Sequence, residues 1–120
     1  MARVLIVEDD RDTREMLGRF LELEGFEVST AANGQLALDA LRQHAAAVIV
    51  LDLMMPVMDG WQFRQQQIHD PRLAGIPVVV VTAAGSRTSL PPIDAHGWLS
   101  KPVDLDQLLQ MITPLCGSGN

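Results

Sequence analysis

Residues 45–52 read Ala45-Ala46-Ala47-Val48-Ile49-Val50-Leu51-Asp52, seven apolar residues in a row that stop on a carboxylate. An uninterrupted Ala/Val/Ile/Leu run of this length predicts a strand buried on both faces, as in the middle of a parallel sheet, with Asp52 at its carboxyl end. In open α/β sheets that edge is where ligands bind, because the strands stop there and loops and helix termini close a crevice over them. The next stretch, Leu53-Met54-Met55-Pro56-Val57-Met58-Asp59-Gly60, is apolar but broken by Pro56 and Gly60, which predicts an ordered loop.

Outward from this strand the chain alternates. Val4-Leu5-Ile6-Val7 predicts a second apolar strand, and it too runs into acid, Glu8-Asp9-Asp10. Asp12, with Glu15 three residues on, reads as the N-cap of a helix whose Met16, Leu17, Phe20, Leu21 and Leu23 form an apolar stripe ended by Gly25. Phe26 to Thr30 alternates apolar with polar, so one face is wet and the strand belongs at the sheet edge. Asn33-Gly34 opens a helix carrying Ala37, Leu38 and Leu41, and Gly60 opens a shorter one carrying Trp61, Phe63 and Ile68. Ile76 to Val81 predicts a fourth strand ending at Thr82, Gly97 to Ser100 a fifth running into Lys101-Pro102, and Asp104 caps a last helix along Leu105, Leu108, Leu109 and Ile112. Between Gly85 and His96, Gly, Ser, Thr and the pair Pro91-Pro92 leave room for one or two helical turns. Five strands alternating with helices give an α/β doubly wound five-stranded parallel sheet with a shortened fourth helix, since right-handed crossovers cover both faces.

At 120 residues this is one domain, large enough to bury roughly two thirds of its unfolded surface. The single Cys116 excludes an internal disulfide and, without a Cys/His cluster, a structural zinc site, which favours a reducing, cytoplasmic compartment. No apolar run approaches the ~18 residues of a membrane span. Fifteen acids against nine Lys/Arg give a net charge of −6, a poor footprint for direct nucleic-acid binding.

In a parallel sheet Glu8, Asp9, Asp52, Thr82 and Lys101 all fall on one edge. Three carboxylates within ~5 Å of one another repel by about 3 kcal/mol per pair at an effective dielectric near 20, and a divalent cation removes that cost. An all-oxygen donor set with few protein ligands suits Mg²⁺, the usual neutraliser of a phosphoryl group. A carboxylate beside such a metal can attack phosphorus to give an aspartyl phosphate, with Lys101 and a hydroxyl on the remaining oxygens.

With Val7-Glu8-Asp9-Asp10, the segment from Asp52 to Gly60, Thr82-Ala83 and Lys101-Pro102 in place, the sequence resembles the receiver domain of two-component response regulators over nearly its whole length. The resemblance implies a flavodoxin-like sheet of order 2-1-3-4-5, spanning residues 1–120 as a single receiver domain with no output domain. It implies that Asp52 is the phosphoacceptor, that Asp9, Asp52 and the Met54 backbone carbonyl hold Mg²⁺ or Mn²⁺, and that Glu8 holds it through water. Thr82 is then the switch hydroxyl, Ala83 and Lys101 contact the phosphoryl group, Trp98 stands at the aromatic switch position usually filled by Tyr or Phe, and a cis peptide joins Lys101 to Pro102. The phosphodonor is a histidine kinase or histidine phosphotransfer protein, docking on the first helix, around Arg14 and Gly18, and on the loops about Asp52. Such a domain is not an enzyme in the ordinary sense; it catalyses its own phosphoryl transfer and dephosphorylation. The short, Pro-broken stretch before the fifth strand falls where the family's usual dimer face lies.

Plainer readings compete at single positions. Asp10, Asp12 and Asp59 are expected to be helix caps, His44, His69 and His96 structural or surface groups, Trp61 a packing residue, and Met54, Met55 and Met58 flexible filler. A haloacid-dehalogenase-like phosphatase needs a second Asp where Met54 stands, and a dinucleotide binder needs a Gly-rich turn where Glu8-Asp9-Asp10-Arg11 stands. The alternative function is a phosphorylation-independent interaction module on the same fold.

Overall fold

The structure is a computed structural model describing residues 2–83 and 93–116. Five strands, β1 (Arg3–Val7), β2 (Glu27–Ala31), β3 (Val48–Asp52), β4 (Val78–Thr82) and β5 (Gly97–Ser100), form one all-parallel sheet of order β2-β1-β3-β4-β5. Helices α1 (Arg11–Leu23), α2 (Gly34–Gln43), α3 (Gly60–His69) and α4 (Leu105–Leu115) complete the described elements. This is the doubly wound sheet the alternation predicts, with β2 at the edge. The shortened fourth helix expected near Pro91-Pro92 falls on residues 84–92 and lies outside the described residues.

The β3 and β4 runs are uninterrupted because both of their faces are core. Leu5, Val7, Ile49, Leu51, Val78 and Val80 point to one side, against Ala37, Leu38 and Leu41 of α2 and Phe63 of α3. Val4, Ile6, Val48, Val50, Val79 and Val81 point to the other, against Leu17 and Leu21 of α1 and Leu108 and Ile112 of α4. Each such side chain contributes roughly 1.5–3 kcal/mol when taken fully from water. One-residue alternation along a strand thus divides the core into two layers that clamp the sheet.

Two local readings are corrected. Ala45, Ala46 and Ala47 precede β3, which begins at Val48. Alanine has little strand preference, and Ala46 packs in the core as part of the connection. The cap of α1 is Asp10, two residues before Asp12: its Oδ2 accepts from the Thr13 amide at 2.9 Å and the Thr13 hydroxyl at 2.6 Å, leaving Asp12 in the first turn. The caps at Asn33, Asp59 and Asp104 are as read from the sequence, and Gly25 takes φ +99° past the end of α1.

Candidate functional site

The strand ends carry the charged groups to one edge. β1 stops at Val7 and its neighbour β3 at Asp52, in a register that pairs Val7 with Leu51. One ligand oxygen from each of Glu8, Asp9 and Asp52 lies within 4.8 Å of the others. Glu8 and Asp52 are 2 % and 4 % exposed, while Asp9 stands in solvent. From β5 the Lys101 ammonium reaches in, 3.0 Å from Glu8 Oε1 and 3.6 Å from Asp52 Oδ2. The Glu8 carboxylate also accepts from the Asp10 amide at 3.1 Å, and Asp52 Oδ1 from the Met54 amide at 3.4 Å.

One ammonium does not neutralise two buried carboxylates. Burial pushes the Asp52 carboxyl up to about 7, the Glu8 charge and a hydrogen bond to Glu8 push the same way, and Lys101 and the Met54 amide oppose them. Burial draws the Lys101 ammonium down, but the hydrogen bond to Glu8 and the charges of Asp52, Glu8 and Asp9 outweigh it, so its pKa is raised.

The loop after Asp52 is held from both ends. The Gly60 amide donates to the Leu53 carbonyl at 2.9 Å and the Gly34 amide to the Met58 carbonyl at 3.0 Å. Asp59 and Gln62 close a reciprocal capping box. Gly60 cannot carry a side chain here, because a Cβ would meet Leu53 Cδ2 at 2.7 Å and Leu53 Cα at 2.8 Å. At the loop's outer bend Val57, 80 % exposed, takes φ +69°, a conformation that a β-branched residue rarely adopts.

Thr82 ends β4 at 1 % exposure, and its Oγ1 has no hydrogen-bond partner among the described residues. Leaving a buried hydroxyl so costs about 1–3 kcal/mol. Ala83 is exposed beyond it. Lys101 N–H donates to the Thr82 carbonyl at 2.7 Å, and the Lys101–Pro102 peptide is cis. Trp98 pairs with Val80 in the β4–β5 ladder, two residues before Thr82, and is half-buried against the core layer containing Val80. The Met54 side chain is 58 % exposed. Beside Lys101 an open hollow of about 500 Å³ is lined by Thr13, Met16, Ala83, Pro102 and Val103.

Of the two residues of α1 named for a docking surface, Arg14 is half-buried and Gly18 is buried. Gly18 is buried against β2, where a Cβ would stand 3.6 Å from Val28 Cγ1. Arg14 turns back onto the acidic loop, its Nη1 donating to the Glu8 carbonyl at 2.9 Å. Its place one turn beyond the true cap, Asp10, is the signal that a correct helix start would have given.

A strand-end acid cluster, a buried hydroxyl and a lysine at the edge of a 2-1-3-4-5 parallel sheet define a signalling receiver, and the comparisons agree. The model of the response regulator receiver domain matches residues 4–113, and the chain belongs to that family. It is 39 % identical over 116 residues to response regulator Rre1 of Synechocystis, covering 93 % of this chain but 50 % of that one. It is 35 % identical over 115 residues to Protein PilH of Pseudomonas aeruginosa, covering 93 % of this chain and 95 % of that one. The structure of chemotaxis response regulator CheY4 of Vibrio cholerae superposes with a TM-score of 0.86 at 32 % identity, covering 96 % and 98 % of the two chains. The chain therefore spans about half the length of one relative and nearly all of another.

Proposed function

We propose that Asp52 accepts a phosphoryl group from a phosphohistidine on a histidine kinase or phosphotransfer protein, in a reaction that requires Mg²⁺ or Mn²⁺. The observation that carries this is the position of Asp52: a carboxylate 4 % exposed, placed between two further acids, Glu8 and Asp9, and one ammonium, Lys101. One oxygen from each of the three acids lies within 4.8 Å of the others, an all-oxygen donor set whose chemistry fits Mg²⁺. Asp9, Asp52 and the Met54 carbonyl would hold it, with Glu8 reaching it through water. When bound it supplies positive charge to the phosphoryl oxygens and ionises Asp52 near neutrality.

The chain's own groups carry the rest. An Asp52 carboxylate oxygen attacks phosphorus as the donor's N–P bond breaks, and the departing imidazole keeps the electron pair and takes a proton from solvent. Lys101 moves its ammonium from Glu8 toward a phosphoryl oxygen. The Thr82 hydroxyl, without a partner among the described residues, and the Ala83 amide take the other oxygens, and a donor reaches the site over the hollow between Met16 and Val103. Trp98, on the same face of the sheet as Thr82, would be the aromatic group that responds when that hydroxyl moves.

Intact-mass measurement after incubation with acetyl phosphate and Mg²⁺ tests this. One phosphoryl group is expected on the wild type, none on Asp52→Asn, and none with EDTA. A wild type that stays unlabelled, or an Asp52→Asn that labels equally, sinks the reading and leaves the phosphorylation-independent interaction module.

A further inference from the structure

Among the three acids, Glu8 and Asp52 are held by burial, but Asp9 is exposed, so its aim depends on the backbone that carries it. Two amides of that backbone, on either side of Asp9, are fixed: Glu8 N–H donates to the Ala31 carbonyl at 3.0 Å and Asp10 N–H to Glu8 Oε2 at 3.1 Å. The carbonyls lie beyond the sheet ladder, and Arg14 takes them. Its Nη1 donates to the Glu8 carbonyl at 2.9 Å and lies 3.4 Å from that of Asp9, across the two peptide planes that flank the Asp9 Cα. The helix holding Arg14 is itself fixed to the loop through the Asp10 cap and the Arg14 N–H bond to the Asp10 carbonyl at 2.9 Å.

We infer that Arg14 is a positioning residue for the cation site: by fixing the carbonyl side of the Glu8–Asp9 loop it aims the exposed Asp9 carboxylate at Asp52. This rests on the reading of the acids as a Mg²⁺ site. Groups that orient a metal ligand without touching the metal typically change affinity by about 10- to 100-fold when removed. The charge of Arg14 argues the other way, since a guanidinium beside the acids repels a dication and its removal would tighten binding. The two effects differ in sign.

The test is a Mg²⁺ titration of the full chain followed by amide NMR shifts, with urea midpoints measured in parallel. Arg14→Met keeps the aliphatic stem and loses the donors and the charge; it is expected to bind Mg²⁺ about tenfold more weakly while keeping the wild-type fold. Arg14→Lys, which can reach one carbonyl, is expected to recover part of that loss. Unchanged affinity in Arg14→Met, tighter affinity, or a lowered urea midpoint with unchanged affinity of the folded protein each overturns the inference. Failure of the wild type itself to respond to Mg²⁺ is a different result: it overturns the cation reading, and the inference with it.

Discussion

Asp52 is 4 % exposed, and the ammonium nearest it, Lys101 Nζ, stands 3.6 Å away but only 3.0 Å from Glu8. The folded state therefore raises the Asp52 pKa from its ordinary value to about 7. For an acid shifted upward, the folded protein holds the proton longer than the unfolded chain. Its contribution to stability is then complete below about pH 4 and is lost as pH rises to about 7, at up to roughly 1.4 kcal/mol per pH unit. Asp52→Asn removes this term. With EDTA present, the variant is expected to exceed the wild type in urea midpoint at pH 8 by clearly more than at pH 5. Equal differences at both pH values would show that Asp52 unfolds and folds with the same proton affinity. The Asp52–Lys101 pairing was legible because carboxylate and ammonium each followed an apolar strand in the sequence. The strained φ of Val57 was not, since an exposed valine after a proline signals nothing about the bend it occupies.

At the scale of single elements, legibility followed the kind of force that shapes each one. β4 and β5 end one residue past their apolar runs, at Thr82 and Ser100, and α2, α3 and α4 start at the Asn33, Asp59 and Asp104 caps, because burial and capping are written in residue type. Alanine misled at Ala45–Ala47, being apolar without preferring a strand. What α3 hides was out of reach. A helix with Arg64 and Gln67 three residues apart on one face reads as solvated on that side, yet Gln67 is fully buried, and its Nε2 donates to the Leu73 carbonyl at 2.9 Å and the Ile76 carbonyl at 3.0 Å. Its Oε1 accepts from Arg64 Nη1 at 2.8 Å, and Arg64 Nε donates to the Asp94 carbonyl at 2.9 Å. One side-chain amide thus joins the approach to β4 with a guanidinium that holds the approach to β5. Gln67→Leu removes the amide donors to those two carbonyls and the acceptor of Arg64 Nη1, though the Leu73 carbonyl keeps the Ile76 N–H at 3.1 Å and Arg64 keeps Asp94, and is expected to lower stability by about 1–3 kcal/mol, read as a urea midpoint. A loss under about 0.5 kcal/mol would mean that water replaces the amide.

For the molecule as a whole, the acid edge is a cost that the two core layers support and that a bound cation would return. The net charge of −6 adds a diffuse repulsion, but the concentrated term lies among Glu8, Asp9 and Asp52. A ligand that binds only the folded state raises stability by RT ln(1 + [L]/Kd), about 1.4 kcal/mol at ten times Kd, or roughly 6 °C for a domain of this size. Thermal midpoints are therefore expected to climb with the logarithm of Mg²⁺ concentration, continuing past the point where simple screening saturates. Sodium chloride at matched ionic strength should give only the small shift that comes from screening surface charge. Asp9→Asn removes a proposed direct ligand while leaving Glu8, Asp52 and Lys101 in place, and should lose most of the Mg²⁺-specific rise. The scan that decides is wild type beside Asp9→Asn, each in Mg²⁺ and in matched sodium chloride. If sodium reproduces the magnesium curve, or the variant keeps the full rise, the cluster acts as a repulsive patch that any salt relieves, and the cation must be sought elsewhere on the molecule.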